Sequence, residues 1–248
     1  MTGSNWVMAM GGLTAWGISA LINAGLILPA TRLPVLTNHG WWHAWALGTL
    51  LGATVGWQGW LAVVLYLAFG SAVTKLGFAR KAELGIAEAR GGRRGPENVW
   101  GSAATGATLA LLSQWPGAPV GILMVGFVAS FAAKLGDTCG SEIGKRWGRT
   151  TISLSRLKAV PPGTEGAVSL EGTLASLVGA GVFSLIGCTL ALVSWELWLP
   201  ISVIAWLATL VESLIGSELQ PQLPWLSNEG VNALMTAIAA AAAMVLLR

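Results

Sequence analysis

The sequence predicts an all-α fold. We read a polytopic transmembrane helical bundle of about seven or eight spans, one integral membrane domain over residues 1–248. Three observations predict it. Hydrophobic residues make up 54% of the chain and charged residues only 10%, whereas a soluble domain carries about 25% charge. The apolar residues fall in runs near the length that crosses a bilayer, about 20 residues. Many of the 14 tryptophans stand at the ends of those runs (Trp6, Trp41, Trp42, Trp57, Trp100, Trp115, Trp195, Trp198 and Trp225), where an amphipathic ring sits at headgroup level. This composition excludes a soluble globular protein, and no nucleic-acid partner is expected.

The first run, roughly 6–29, lacks a basic leader, and Ser19-Ala20 is a weak cleavage look-alike. It reads as a retained span. Runs at roughly 43–56 and 58–74 follow. Gly56 and Gly59 mark either a tight turn between two short helices or a kink in one long helix. Roughly 99–115 and 119–136 form a hairpin across the turn Pro116-Gly117-Ala118-Pro119. Roughly 173–195 and 199–217 form a second hairpin, and 231–247 is the last span. Asn23, inside the first span, is expected to tie helices together. His39 and His43 are expected at the interface. Cys139 and Cys188 provide neither a disulfide framework nor metal-ligand spacing.

Charge is distributed unevenly. Twelve of the 14 Lys and Arg residues lie between Lys75 and Lys158, at or beside two loops, 75–98 and 137–172. These loops flank one helical hairpin, so they share a face. A third loop, 218–230, returns to it. The excess of Lys and Arg assigns that face to the cytoplasm. The connections on the far side are short and nearly uncharged, so all candidate chemistry lies on one face. Transporters more often place it near the bilayer midplane.

The strongest motif runs from Lys134 through Asp137 to Gly148, and Asp137 is the only aspartate in the chain. At about 100° per residue, Lys134, Asp137, Thr138, Ser141, Glu142 and Lys145 fall in one stripe about 140° wide, opposite small and apolar residues. Asp137 and Glu142 can offer oxygens to a hard cation such as Mg²⁺, which takes one or two carboxylates and keeps places for waters and phosphates. Lys134 and Lys145 can balance phosphate charge. The competing reading is a membrane-edge helix whose charges satisfy one another at i,i+4 spacing.

A second motif, Gly163-Thr164-Glu165-Gly166-Ala167-Val168-Ser169-Leu170-Glu171-Gly172-Thr173, opens an apolar helix. Glycines and small hydroxyls let backbone N–H groups converge on an anion, and the helix N-terminus adds partial positive charge. A flexible loop with Ser169 or Thr173 as N-cap fits equally. A third cluster sets Lys75, Arg80, Lys81, Arg90, Arg93 and Arg94 against Glu83, Glu88 and Glu97. It reads either as topology signal and lipid-headgroup attraction or as a clamp for an anionic head, with Arg93 and Arg94 as forked phosphate donors. Thr209, Glu212, Ser213 and Gly216 form an intramembrane polar stripe. Asn228, Asn232 and Thr236 recur every four residues at the last span, beside Glu229.

In this combination and order the motifs resemble the phytyl-phosphate kinase and transmembrane protein 19 family, from residue 36 to the C-terminus. The quoted elements are Thr74-Lys75, Arg93-Arg94-Gly95, Asp137 to Gly148, Gly163 to Ser169, Glu212-Ser213 and Asn228 to Asn232. A more distant likeness joins Asp137 to Gly148, and Ser169 to Thr173, with paired motifs of dolichol and phytol kinases and CDP-diacylglycerol synthases. Val168 stands where those relatives carry Lys, and Arg156 or Lys158 is the candidate to substitute.

The resemblance implies phosphoryl transfer from a nucleoside triphosphate, CTP by analogy, to a prenyl monophosphate such as phytyl phosphate, on the tocopherol and phylloquinone route. Asp137 and Glu142 are then the leading Mg²⁺ ligands, with Glu171 and Glu212 next. Lys134, Lys145, Arg156 and Lys158 would neutralise nucleotide phosphates. Ser141, Gly163, Thr164, Glu165, Gly166, Ser169, Glu171, Asn228 and Asn232 would contribute to the nucleotide site. Lys75, Arg93 and Arg94 would hold the acceptor phosphate. A cyanobacterial or plastid-type membrane is implied, with membrane lipids around the bundle and oligomeric state open. The alternatives are a prenol kinase and a lipid or small-molecule transporter.

Overall fold

The structure, a computed structural model, describes residues 12–164 and 166–248. Trp6, the start of the first expected span and Glu165 lie outside the described residues. Eight long helices run back and forth: α1 (Gly12–Ala30), α2 (Asn38–Thr54), α3 (Trp57–Lys75), α5 (Pro96–Leu112), α6 (Val120–Trp147), α7 (Leu170–Thr189), α8 (Trp198–Glu218) and α9 (Asn228–Leu246). A one-and-a-half-turn helix, α4 (Phe78–Glu83), follows α3. Among the described residues six helical segments are long and apolar enough to cross a membrane; α2 and α5 have 17 residues each. The expected seven or eight spans thus correspond to eight helices, two of them short.

The break at Gly56 is a turn rather than a kink. Its φ of 88° lies where only glycine is comfortable, and it reverses the chain between α2 and α3. Asn23 ties helices as expected: its amide donates to the Ser19 carbonyl at 2.9 Å and its oxygen accepts from Trp60 Nε1 at 2.7 Å. Pro96 opens α5 at the position where its missing N–H costs nothing, and the Asn98 side chain accepts from Gly95 N at 2.9 Å.

Helix α6 is the axis of the bundle. It packs against α3, α5, α7, α8 and α9. Its 28 residues rise about 42 Å at 1.5 Å each, longer than a hydrocarbon core of about 30 Å. Its last turns therefore stand clear of the apolar layer, so the expected loop 137–172 begins eleven residues later, after Trp147. Phe127 and Phe131 on α6, Phe183 on α7 and Tyr66 on α3 form the aromatic centre, with ring separations of 5.1 to 6.4 Å. Lipid tails are as apolar as these side chains, so close packing and interhelical hydrogen bonds hold such helices together. The α6–α7 seam shows how. Gly136 and Gly140 on α6 meet the backbone of Ser176 and Gly172 on α7, and a methyl at Gly136 would sit 2.9 Å from the Ser176 carbonyl oxygen.

The sequence did not forecast a small antiparallel sheet between α6 and α7. Its strands are β1 (Thr151–Ser153), β2 (Lys158–Ala159) and β3 (Ala167–Ser169), in the order β2-β1-β3, with Ile152 opposite both Ala159 and Val168. β3 leads directly into α7. Helices α3, α6 and α8 end, and α5, α7 and α9 begin, at one end of the bundle, around a common cleft.

Candidate active site

That cleft has a volume of about 500 Å³, in the range of small-molecule sites. It is lined from six long helices and two loops. The first turns of α5, α7 and α9 open onto it through Asn98, Gly172, Thr173, Asn228, Glu229 and Asn232. Three helix N-termini thus direct partial positive charge and unpaired backbone N–H groups toward one space. Ser169 caps α7 by accepting from Gly172 N at 3.1 Å, and Ser227 caps α9 by accepting from Gly230 N at 3.1 Å. Ser169 is therefore both the expected cap and part of the cleft wall.

The α6 stripe faces the cleft: Lys134, Asp137, Thr138, Ser141, Glu142 and Lys145 all line it. Lys134 pairs with Asp137 and donates to Asn232 Oδ1 at 3.0 Å, linking α6 to α9. The other Asp137 oxygen has Ser141 Oγ at 3.5 Å, a long contact that leaves room for a further partner. Glu142 is differently placed. It is buried against the fully buried Lys81 of α4, with Lys145 at 3.9 Å on its other oxygen. Lys81 also donates to the Thr74 carbonyl at 3.0 Å. Glu142, expected as a leading metal ligand, is thus engaged by two lysines and anchors α4 to α6.

The glycine-rich segment lies beside the α6 stripe: Gly163, Thr164, Gly166 and Ser169 line the cleft. Gly166 has φ 68° and packs on the α8 backbone at Ser213 and Ser217. Glu212 and Ser213 of α8 complete that wall. On the opposite wall, Arg90, Arg93 and Arg94 line the cleft. Arg90 pairs with Glu97 and donates to Asn98 Oδ1 at 2.8 Å, and Asn98 donates to Glu229 Oε1 at 2.8 Å.

Four expected residues do not line the cleft. Lys75 donates to the Gly91 carbonyl at 2.7 Å and lies over the Phe78 ring. Arg156 and Lys158 project from the exposed tip of the β1–β2 hairpin, so neither replaces the missing lysine at Val168. Glu171 points away toward Arg149, whose backbone N–H donates to it at 3.4 Å. For Glu171 the reason is helix phase: consecutive helical residues diverge by about 100°, so Gly172 and Thr173 line the cleft while Glu171 does not.

Two residues went unassigned at the sequence level. Tyr66 accepts from Arg94 Nη1 at 2.8 Å. Its signal was available, as the only tyrosine in the chain, set within an apolar run. Asn98 joins α5, the Arg90 loop and α9, and nothing in its local sequence distinguishes it from an ordinary helix-start residue. Among the described residues no three His, Cys, Asp or Glu side chains form a metal-binding group. A cation held by one or two of these carboxylates would complete its shell with waters, other protein oxygens or substrate phosphates.

A family model described as integral membrane protein DUF92 matches residues 21–240. An uncharacterized membrane protein of Synechocystis sp. is 44% identical over 232 residues, covering 92% of this chain and 90% of that protein. Protein VTE6, chloroplastic, of Arabidopsis thaliana is 40% identical over 216 residues, covering 85% of this chain and 65% of that protein. An uncharacterized membrane protein of Methanocaldococcus jannaschii is 25% identical over 174 residues, 68% of this chain and 69% of that protein. No solved structure matches. The chain belongs to the DUF92 family of integral membrane proteins.

Proposed function

We propose that this protein is a membrane-embedded kinase that transfers a phosphoryl group from a nucleoside triphosphate, CTP by the motif resemblance, to a prenyl monophosphate such as phytyl phosphate. The observation that carries this reading is the cleft itself. Arg90, Arg93, Arg94, Lys134 and Lys145 and three helix N-termini converge at one end of the helical bundle on a space of about 500 Å³. Such a site suits two polyanions, one soluble and one lipid-borne. The likeness to the phytyl-phosphate kinase family and the similarity to the chloroplastic VTE6 protein support it.

The chemistry needs little more. A phosphate monoester has a second pKa of about 6, so its oxygen is already an anionic nucleophile at neutral pH and no base is required. That oxygen forms a bond to the terminal phosphorus of the donor. The bridging P–O bond breaks, and the nucleoside diphosphate leaves with the electron pair. The obstacle is repulsion between the partners, which fixed cations and donors remove. Mg²⁺ would fit here as a cation shared between Asp137 and substrate phosphates, with Glu212 on the facing wall, and it would add charge neutralisation. Glu142 is better suited to holding Lys81. Helices α3 and α7 make only sparse contact with each other. This seam offers the isoprenoid tail a path to the bilayer.

The test is a phosphotransfer assay on purified protein in lipid nanodiscs, crossing CTP, ATP, GTP and UTP with prenols and prenyl monophosphates. A prenyl diphosphate formed from the monophosphate and CTP is the expected product. Products from the alcohols alone would make it a prenol kinase. No transfer with any pair would reject the kinase reading.

A further inference from the structure

We propose that the cleft is divided by depth: Arg94 and Lys134 form an inner seat for the phosphate of a membrane lipid, while Arg90, Arg93 and Lys145 at the mouth receive the water-soluble donor. The proposal rests on the kinase reading for the identity of the second ligand only.

The inner seat is defined by where its cations lie along the helices. Tyr66 stands nine residues before the end of α3, about 13 Å below it at 1.5 Å per residue. Arg94 reaches down to Tyr66, donating Nη1 to its hydroxyl at 2.8 Å with the guanidinium 5.4 Å from the ring centroid. A side chain at Gly70 would block the path, since a methyl there would lie 2.7 Å from Arg94 Nη2. The Arg94 backbone is pinned as well: its N–H donates to the Val35 carbonyl and its carbonyl accepts from Thr37 N, each at 3.0 Å. Lys134 stands 13 residues before the end of α6, about 20 Å along the axis.

These two cations are neighbours. The Tyr66 ring packs on Phe131 at 5.6 Å, and Phe131 and Lys134 share a face of α6 at i,i+3 spacing. Lys134 bonds to Asp137 and Asn232. The group of Tyr66, Arg94, Lys134, Asp137 and Asn232 therefore holds two cations and one carboxylate, a surplus of one positive charge inside a helical bundle. Ionisable groups at such depth are costly and mark a ligand path.

The rim is different in kind. Arg90 and Arg93 are exposed, Arg90 is paired with Glu97, and Lys145 has Glu88 at 3.3 Å. A lipid monophosphate is tethered by its tail and meets cations at bilayer depth, whereas a nucleotide arrives from water and meets the rim first. A prenol would bring no charge to the inner seat. The seat therefore selects a phosphorylated lipid over the alcohol.

The experiment measures binding without turnover, in nanodiscs, using farnesyl monophosphate, farnesol and CTP as separate probes. Wild-type protein should bind farnesyl monophosphate at least about tenfold more tightly than farnesol. Arg94→Gln should weaken farnesyl monophosphate by about tenfold or more and leave CTP within about twofold, whereas Arg93→Gln should weaken CTP more than the lipid. Tyr66→Phe keeps the ring and removes the acceptor that orients Arg94. It should raise KM for the lipid and leave KM for CTP unchanged. The proposal is overturned if Arg94→Gln binds the lipid as wild type does, or if Arg93→Gln and Arg94→Gln weaken both ligands alike. Lipid binding lost in Arg94→Gln, in a protein with no transferase activity, would keep the seat and reject the kinase.

Discussion

At the scale of single residues, two carboxylates about 140° out of phase on α6 have been given opposite tasks. Asp137 faces the cleft with one oxygen on Lys134 and the other loosely held. Asp137→Asn keeps the shape and an acceptor for Lys134 but removes that buried lysine's counter-charge, so the variant should insert and melt somewhat lower than wild type while phosphoryl transfer falls by about a thousandfold or more, about 4 kcal/mol of barrier. Wild-type turnover in that variant would remove Asp137 from the chemistry. Glu142 is buried with Lys81, and removing one partner of a buried pair costs about 3–5 kcal/mol because the other charge is stranded. Lys81→Met should therefore lower the melting temperature in detergent sharply, and Lys81→Met with Glu142→Met should recover most of the loss. Transferase activity should return with the fold. A well-folded but inactive double variant would show instead that Glu142 takes part in catalysis. The sequence located both carboxylates on the right stripe, but it could not tell them apart. The distinguishing partner, Lys81, is 61 residues away from Glu142 and reads locally as one more loop lysine.

At the scale of elements, the Gly-rich face of α6 sets how closely α7 approaches, and hence where the loop at 163–169 lies relative to Asp137. Gly172 meets the Gly140 carbonyl oxygen, with 2.8 Å available to a methyl group, and Gly136 has 2.9 Å to the Ser176 carbonyl. Backbone cannot yield as a side-chain tip can, so Gly136→Ala and Gly172→Ala should each cost about 1–3 kcal/mol by overpacking, read as a lower melting temperature. Gly121, on the same α6 helix, has nothing within 4 Å of an added methyl. Gly121→Ala should be neutral or stabilising by up to about 1 kcal/mol. Equal losses at all three positions would mean that the seam is not the cause. The small-residue face was legible because glycine at four-residue spacing has few other uses in an apolar helix. The three-stranded sheet was not: strands of two or three residues are too short to show alternation, and they are held in place by the helices on either side.

At the scale of the whole molecule, the eight helices and the gathering of chemistry at one end were legible from the lengths of the apolar runs and from twelve of 14 basic residues lying within 75–158. Which members of that crowd touch the cleft was not, because exposure on a loop or helix depends on phase and on neighbours distant in sequence; Arg94 is set by Tyr66 and Val35, while Arg156 is left at a hairpin tip. The common end gives the arrangement its most exposed consequence. The chain order brings the ends of α3 and α8 to the cleft end, and the turns at 113–119 and 190–197 to the other. Arg80, after α3, and Gln222, after α8, are both exposed, as are Gly117 and Glu196 in the far turns. In a variant with Cys139 and Cys188 replaced by serine, single cysteines at these four positions should divide cleanly under a membrane-impermeant maleimide. Arg80→Cys and Gln222→Cys should label from one side of sealed vesicles, and Gly117→Cys and Glu196→Cys from the other. Basic residues are retained on the cytoplasmic side, so the first pair should react in inverted vesicles and stay protected in right-side-out ones. If Arg80→Cys and Gln222→Cys reacted from opposite faces, the α8 wall carrying Glu212 could not meet the arginine loop across one cleft, and neither a shared polyanion site nor a depth-graded one could form.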